Sequence, residues 1–305
     1  MIPKTRGVIQ LIDGNSIGYA NHMSTKLTNG SMPTQAIYGT IRTLRSLKTD
    51  SPKAKQIVLW DGRAQWRRDI YPDYKANRRS SGDQVKIYEE YKAQSKDMQA
   101  MITHIGVDQV ICPKAEADDL AAAYCHVFRD FTINLITADK DWLQLVKPNV
   151  SWFDPVHDKF CSTSDFEVMT GFKTPDLFVQ AKALTGDASD NIKGVGGIGE
   201  VNAAKLLKAY GSADTFLKMY DQGKIAADSL PKAWHNFAKD AEKRQAFIRN
   251  RKLMTLCVPV PGIKDSIITK GKFSRDDFKS MCENLAFLSI LQQLDNWLTP
   301  FNPAV

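Results

Sequence analysis

Four short apolar runs, each delivering carboxylates at or just beyond its end, constrain this 305-residue chain more than any other feature. Residues 8–12 run into Asp13, and residues 57–60 into Asp61. Residues 107–111 are followed by Glu116, Asp118 and Asp119, and residues 133–137 by Asp139 and Asp141. The runs lack clean polar alternation, which is the pattern of strands covered on both faces. A weaker strand candidate spans 150–153. Helix-compatible stretches at 33–47, 84–105 and 117–128 separate the runs. Strand–helix alternation predicts an α/β fold with a mainly parallel sheet flanked by helices. Such a sheet brings all seven acids to one edge, where α/β proteins open their crevice.

Each acid has an ordinary explanation of its own, as a helix N-cap or as part of a turn. Four successive strands ending this way are harder to dismiss. Two carboxylates about 4 Å apart repel by roughly 4 kcal/mol at an effective dielectric of 20. A cluster of seven therefore calls for cations. Oxygen-only donors suit Mg²⁺, with Mn²⁺ as its natural substitute. Zinc is disfavoured because His22, His104, His126, His157 and His235 are scattered and the five cysteines form no C-x-x-C pair. Asp187 and Asp190, three residues apart, would lie on one side of a turn.

From about residue 174 strand signal gives way to helical spacing at 175–184, 200–209, 213–220 and 234–250. A soft boundary near 172–185 divides a core, 1–180, from a helical unit, 181–305, whose tail from 251 is expected to be mixed. Within that unit Gly194, Gly197 and Gly199 punctuate Val195 and Ile198 and lead into a helix, a helix–hairpin–helix pattern over about 186–210. A turn of backbone N–H groups followed by a helix N-terminus binds phosphate without reading bases. Lys193 and Lys205 add charge beside it. The glycines also satisfy a loose dinucleotide-loop form, but the flanking βαβ context is missing.

A basic, aromatic segment precedes the third strand. Between Arg63 and Arg79 there are six Arg/Lys, including Arg67, Lys75 and Arg78, interleaved with Trp66, Tyr71 and Tyr74. Charges that neutralise phosphate and rings that stack on unpaired bases suit a single-stranded path. Residues 78–83 are the expected mobile loop. A second basic run, 239–252, reads equally well as a solvated helical face. The formal charge of +7 and pI near 9.0 permit a polyanionic partner without requiring one. No apolar run is long enough for a membrane helix and no secretory leader is visible, so a reducing cytoplasm, of a bacterium or a phage-infected cell, is expected.

With these elements assembled, the chain resembles the 5′ nuclease family of flap endonucleases and 5′–3′ exonucleases, which includes phage enzymes and the N-terminal nuclease domain of bacterial DNA polymerase I. The resemblance covers roughly 7–250. It rests on Arg67…Tyr71-Pro-x-Tyr74-Lys75-x-Asn77-Arg78, Glu116-Ala-Asp118-Asp119, Thr137-Ala-Asp139-Lys-Asp141, and Gly186-Asp-x-Ser-Asp190-Asn-Ile with Gly194-Val-x-Gly-Ile-Gly199. It implies a PIN-like core with two metal ions. Asp13, Asp61, Glu116 and Asp118 would surround the first, and Asp139, Asp141, Asp187 and Asp190 the second, with Asp119 at the shared face. It further implies a helical arch over 63–100, in which Lys75 and Arg78 hold the scissile phosphate and Tyr74 lies near the displaced base. Arg67, Tyr71 and the hairpin would contact DNA, with a K⁺ ion on the hairpin carbonyls.

The implied activity is hydrolysis at 5′ ends and 5′-flap junctions of DNA, and of RNA–DNA hybrids such as primers in replication, by a monomer. Two features depart from the pattern. Gly196 stands where the family often has proline, and the chain ends with no room for a polymerase and no evident clamp-binding peptide, so a free-standing nuclease is expected. A PIN-type ribonuclease, a non-catalytic branched-DNA module and a metal-dependent phosphatase remain as alternatives.

Overall fold

The computed structural model describes residues 6–24, 26–78, 82–256 and 259–302. Parts of two sequence expectations, the loop residues Arg79, Ser80 and Ser81 and the thiol of Cys257, lie outside them. β1 (Val8–Asp13) is central because it is apolar on both faces: Ile9 and Leu11 enter one core and Ile12 the other. β2 (Lys55–Trp60), β3 (Asp108–Ile111), β4 (Thr132–Ile136) and β5 (Val150–Asp154) extend the sheet in parallel. β6 (Lys159–Cys161) and β7 (Ile267–Thr269) close its edges antiparallel, in the order β7-β3-β2-β1-β4-β5-β6. The chain thus builds outward from β1 to β3, then crosses back to lay β4 on the other side. Strand order reverses between β1 and β4, and a crevice opens at their carboxyl ends.

Helices α1 (Gly14–Ser24), α2 (Gln35–Asp50), α3 (Gln65–Ile70), α4 (Gly82–Ala93), α5 (Ser95–His104) and α6 (Ala117–Val127) follow the strands. Ile17, Ile37, Ile41, Leu44, Met98 and Ile102 from α1, α2 and α5 pack on Ile12, Val58 and Ile136. On the opposite face Leu120 and Ala121 of α6 pack on Leu11, Leu59 and Leu135. After α7 (Phe166–Thr170), helices α8 (Pro175–Thr185), α9 (Glu200–Tyr210), α10 (Ala213–Asp221), α11 (Lys232–Lys239) and α12 (Ala241–Met254) enclose a third core around Leu184, Val195, Leu206, Phe216, Phe237 and Phe247.

Several expectations need correction. Helix α1 was not expected: Asn15, Ser16 and Asn21 weaken its apolar signal, yet it buries Ile17, Gly18 and His22. The single helix expected over 84–105 breaks at Gln94, which is fully buried: its side-chain nitrogen donates to the Glu90 carbonyl (3.1 Å), its backbone N–H turns to the Tyr91 carbonyl (3.1 Å), and its side-chain oxygen accepts from Ala36 N (2.9 Å). The helix expected over 234–250 breaks at Asp240, whose carboxylate caps α12 through Glu242 N and Lys243 N. The tail does not belong to the helical unit. β7 pairs with β3, and α13 (Arg275–Asn284), α14 (Leu288–Leu291) and α15 (Leu294–Leu298) return Phe278, Ile290, Trp297 and Leu298 to the first core. The four described cysteines are free and buried, and no described helix is long and apolar enough to cross a membrane.

Trp297 is 5 % exposed and stacks on Phe278 at a centroid distance of 4.8 Å. Trp297→Ala should therefore cost about 3–5 kcal/mol in urea unfolding of the whole chain. A change below about 1 kcal/mol would mean that the tail is not part of the sheet's core.

Candidate active site

Asp13 closes β1, and the residue beside it on the next strand is Thr137, just past β4. Across the strand-order reversal the Thr137 hydroxyl donates to Asp13 Oδ2 (2.9 Å), while Ser16 N donates to Oδ1 (2.9 Å). Asp61 follows β2 and accepts from Ala117 N at the start of α6 (2.9 Å). The chain turns there on Gly62, where a Cβ would lie 1.9 Å from the Cys112 carbonyl oxygen. Asp118, in the first turn of α6, accepts from Trp142 Nε1 (2.7 Å), and Asp139 accepts from Asp141 N (2.8 Å). Each carboxylate is thus held by a backbone or ring N–H or a hydroxyl that leaves its charge in place.

Among the described residues no cation is ion-paired to these four. Burial and then repulsion from Asp61 push the Asp13 carboxyl up to about 7. Burial and Asp141 push Asp139 up to about 6. Burial, Asp139 and Asp61 raise Asp118 well above the usual range, and burial raises Asp61 although it faces the open cleft. A quartet of oxygen donors that resist ionising together is chemically fitted to a hard divalent ion, whose charge would restore all four carboxylates.

The other acids have internal partners. Glu116 receives Lys75 Nζ (2.6 Å) on one oxygen, and Arg67 Nη1 (3.0 Å) and the Tyr74 hydroxyl (2.8 Å) on the other. Burial pushes its carboxyl up, but Lys75 and Arg67 outweigh burial and leave it below the ordinary value. Lys182 on α8 reaches Asp141 Oδ1 and lies 3.0 Å from Asp187 Oδ2. It overcomes burial to hold Asp187 at about 2. Arg78 donates to Asp190 Oδ1 (2.7 Å). Among the described residues no group of three His, Cys, Asp or Glu converges as a ready-made metal shell.

Four assignments change. Asp119 is fully buried with both oxygens on the Arg67 guanidinium (2.6 and 2.7 Å), so it cannot face an ion in the cleft as placed. Arg67 is itself 2 % exposed and also donates to the Leu253 carbonyl (3.0 Å), so it cannot reach a phosphate. It ties α3, α6 and α12 together beneath Glu116. Tyr71 lies under the Arg249 guanidinium at 4.4 Å, and Tyr74 is buried in the third core. These rings are packing groups here, not an open stacking surface, because the third core needs apolar area where α3 meets it.

The segment after α3 clasps the glycine-rich unit. Lys75 N donates to the Asp190 carbonyl (2.9 Å), Asn77 to the Ala188 carbonyl (2.9 Å) and Asn191 to the Asp73 carbonyl (2.8 Å). Lys75 and Asn191 both take φ of 57°, a conformation that costs energy in a non-glycine residue and recurs at functional sites. A cleft of about 1090 Å³ lies between the aspartate quartet on one wall and Lys75, Arg78, Arg63 and Arg68 on another. Lys193 and Lys205 are exposed beside the hairpin, Gly197 has φ of 80°, Gly194 packs against Thr185, and Gly199 caps α9. Sequence reasoning missed Lys182, whose place inside an ordinary helix signals nothing until α8 is docked.

The family model "5′-3′ exonuclease, N-terminal resolvase-like domain" matches residues 8–173, and "5′-3′ exonuclease, C-terminal SAM fold" matches 173–269. The 5′-3′ exonuclease of Aquifex aeolicus is 31% identical over 219 residues, 70% of this chain and 73% of that protein. The thermostable DNA polymerase I of Thermus thermophilus is 32% identical over 232 residues, 73% of this chain but 27% of the polymerase. The chain therefore matches about a quarter of the length of that polymerase. A T5 5′-exonuclease structure described with bound divalent zinc superposes with a TM-score of 0.70 at 22% identity, covering 92% of this chain and 99% of that one. A T5 flap endonuclease variant described in complex with DNA and metal ions gives 0.66 at 20% identity, with 96% and 97% covered. At these identities the structural likeness is one of fold.

The raised carboxyls set a pH dependence. Folded Asp13 and Asp139 hold protons that the unfolded chain has released above its ordinary 3.8. Their stabilising contribution is complete below that value and is lost as pH rises through about 6 to 7. In EDTA, Tm should fall between about pH 5 and pH 7.5, and Asp118→Asn should raise it at the upper pH by roughly 2–4 °C for each kcal/mol of repulsion removed. A lower Tm for the variant in EDTA would show that the quartet is not under mutual repulsion.

Proposed function

The chain belongs to the 5′–3′ exonuclease family, and we propose that it hydrolyses DNA phosphodiesters at or near 5′ ends and 5′-flap junctions, leaving 5′-phosphate and 3′-hydroxyl. The observation that carries this reading is the quartet Asp13, Asp61, Asp118 and Asp139, with raised carboxyls and no ion-paired cation among the described residues, lining one cleft with Lys75 and Arg78. Bound divalent ions, Mg²⁺ or Mn²⁺, would supply an activated water and neutralise charge on the leaving oxygen. Asp13, Asp61, Asp118 and Glu116 would hold the first ion, and Asp139 with Asp141, Asp187 and Asp190 the second. An ion held by the second set would take the place of Lys182, which pairs with Asp141 and Asp187. Without an ion, Lys182 keeps Asp141 and Asp187 from repelling each other.

Lys75 and Arg78 carry the phosphate. Both now hold acids, Glu116 and Asp190, and both are donors of the kind that accepts phosphate oxygen in exchange for carboxylate. Opposition from those two acids orients the cations toward the cleft before substrate enters. The clasp between residues 73–77 and 188–191 joins this pair to the glycine hairpin. Duplex held on the hairpin is thereby registered against the cleft, with backbone contacts that do not depend on sequence. Names of related structures in complex with DNA support the same substrate class.

Product mapping on a 5′-end-labelled double-flap DNA should show Mg²⁺-dependent release of short 5′-phosphorylated products. Cleavage of single-stranded RNA in preference to the flap would instead favour a ribonuclease. Asp139→Asn should slow cleavage by about 100-fold or more while flap binding in EDTA is kept. Lys75→Ala should slow cleavage and lower the slope of log K against log salt by about 1, because one phosphate contact is lost. An unchanged slope would place Lys75 away from the DNA backbone.

A further inference from the structure

The glycine hairpin carries a second arrangement in which an ammonium stands where a metal ion is expected. Lys243, in the first turn of α12, donates to the Val195 carbonyl (2.9 Å) and the Gly196 carbonyl (3.2 Å). These two oxygens lie at the apex of the hairpin and are part of the place assigned to K⁺ by family resemblance. Gly196 makes the contact possible. Its φ is 81°, which proline, the residue common at this position, cannot adopt, and a Cβ there would stand 2.9 Å from Lys243 Nζ.

Helix α12 is braced against the hairpin so that the ammonium has one position. The fully buried amide of Asn250 donates to the Lys193 carbonyl (2.8 Å) and the Ala183 carbonyl (3.0 Å), spanning both sides of the hairpin. Arg244 on the same helix is pinned to Asp221, Arg251 to Asp176 and Asp214, and Arg249 stacks on Tyr71. Most of the basic run expected to be a solvated face is therefore committed within the protein. Lys243 alone in that run is directed at main-chain oxygens of the hairpin.

We infer that Lys243 is a tethered cation that holds the hairpin carbonyls in place of a free monovalent ion, so that the hairpin is formed and binds DNA without K⁺. An ammonium has three donors, and two of them are used on these carbonyls. A tethered cation costs no entropy of ion capture and cannot be exchanged away by dilution. The inference rests on the DNA-binding reading of the hairpin for its function, and on the two carbonyl contacts alone for its structure.

The test compares the whole chain and Lys243→Met in KCl and in LiCl at equal ionic strength, with EDTA present to prevent cleavage. Affinity for a 5′-flap duplex of fixed sequence should agree within about twofold between the salts for the unaltered chain. It should fall by about tenfold in LiCl for Lys243→Met, the loss expected for one charged hydrogen-bond donor, and recover in KCl. Tighter binding by the unaltered chain in KCl than in LiCl, by several-fold, would overturn the inference. So would an equal loss in both salts for Lys243→Met, since Lys243 would then be a phosphate contact only. Amide hydrogen exchange of residues 195–199 without DNA separates this from the functional reading. Protection that is independent of K⁺ in the unaltered chain and dependent on it in the variant upholds the tethered cation even where no flap DNA is bound. K⁺-dependent protection in the unaltered chain refutes it.

Discussion

Repulsion among carboxylates that the sheet topology forces together governs how the rest of this molecule is arranged. Parallel strands joined by crossovers must end at the same edge, so acids placed at strand ends meet whether or not they attract. The chain answers part of that repulsion with its own cations. Arg67 holds Asp119 and one side of Glu116, Lys75 the other side, Lys182 bridges Asp141 and Asp187, and Arg78 reaches Asp190. Four aspartates at the strand-order reversal have no salt-bridge partner among the described residues, and their raised carboxyls mark the place where an external cation gains most.

The internal cations also bind the two halves of the site to each other. Arg67 joins α3 to α6 and, through the Leu253 carbonyl, to α12, which in turn braces the hairpin through Asn250 and Lys243. Lys75 connects the same region to Asp190 by both backbone and side chain. A buried ion pair of this kind adds little net stability, because desolvation offsets its attraction. Its consequence is geometric: losing one partner leaves an uncompensated charge in the core, so the alternatives to this arrangement are costly.

Much of the fold was legible in the order of apolar runs. The five parallel strands and the helices at 117–127 and 200–210 needed only local pattern, and so did the hairpin glycines. Buried Gln10, Gln56 and Gln109 did not disturb that pattern: Gln10 and Gln56 donate to the Leu47 and Leu44 carbonyls, and Gln109 accepts from Trp60 Nε1. Illegible were α1, the split at Gln94, and the return of the tail to the sheet. The side chain of Gln94, where the helix is interrupted, is held by Ala36, 58 residues away, and β7 pairs with the open edge of β3.

By itself the sequence determined which acids would share an edge and that a glycine-rich turn would follow them and lead into a helix. Both follow from short-range regularities: strand period, crossover connection and glycine conformation. Tertiary structure alone decided which acids are paired with an internal cation and which are pushed toward their protonated form. Lys182 and Asp141 lie 41 residues apart, and Lys243 and Val195 48 apart. Coulomb energy and hydrogen bonding depend on separation in space, and no local pattern carries that distance. The charge excess that first suggested a polyanion is therefore not a free surface property, since several of its lysines and arginines are the internal counter-ions of the site.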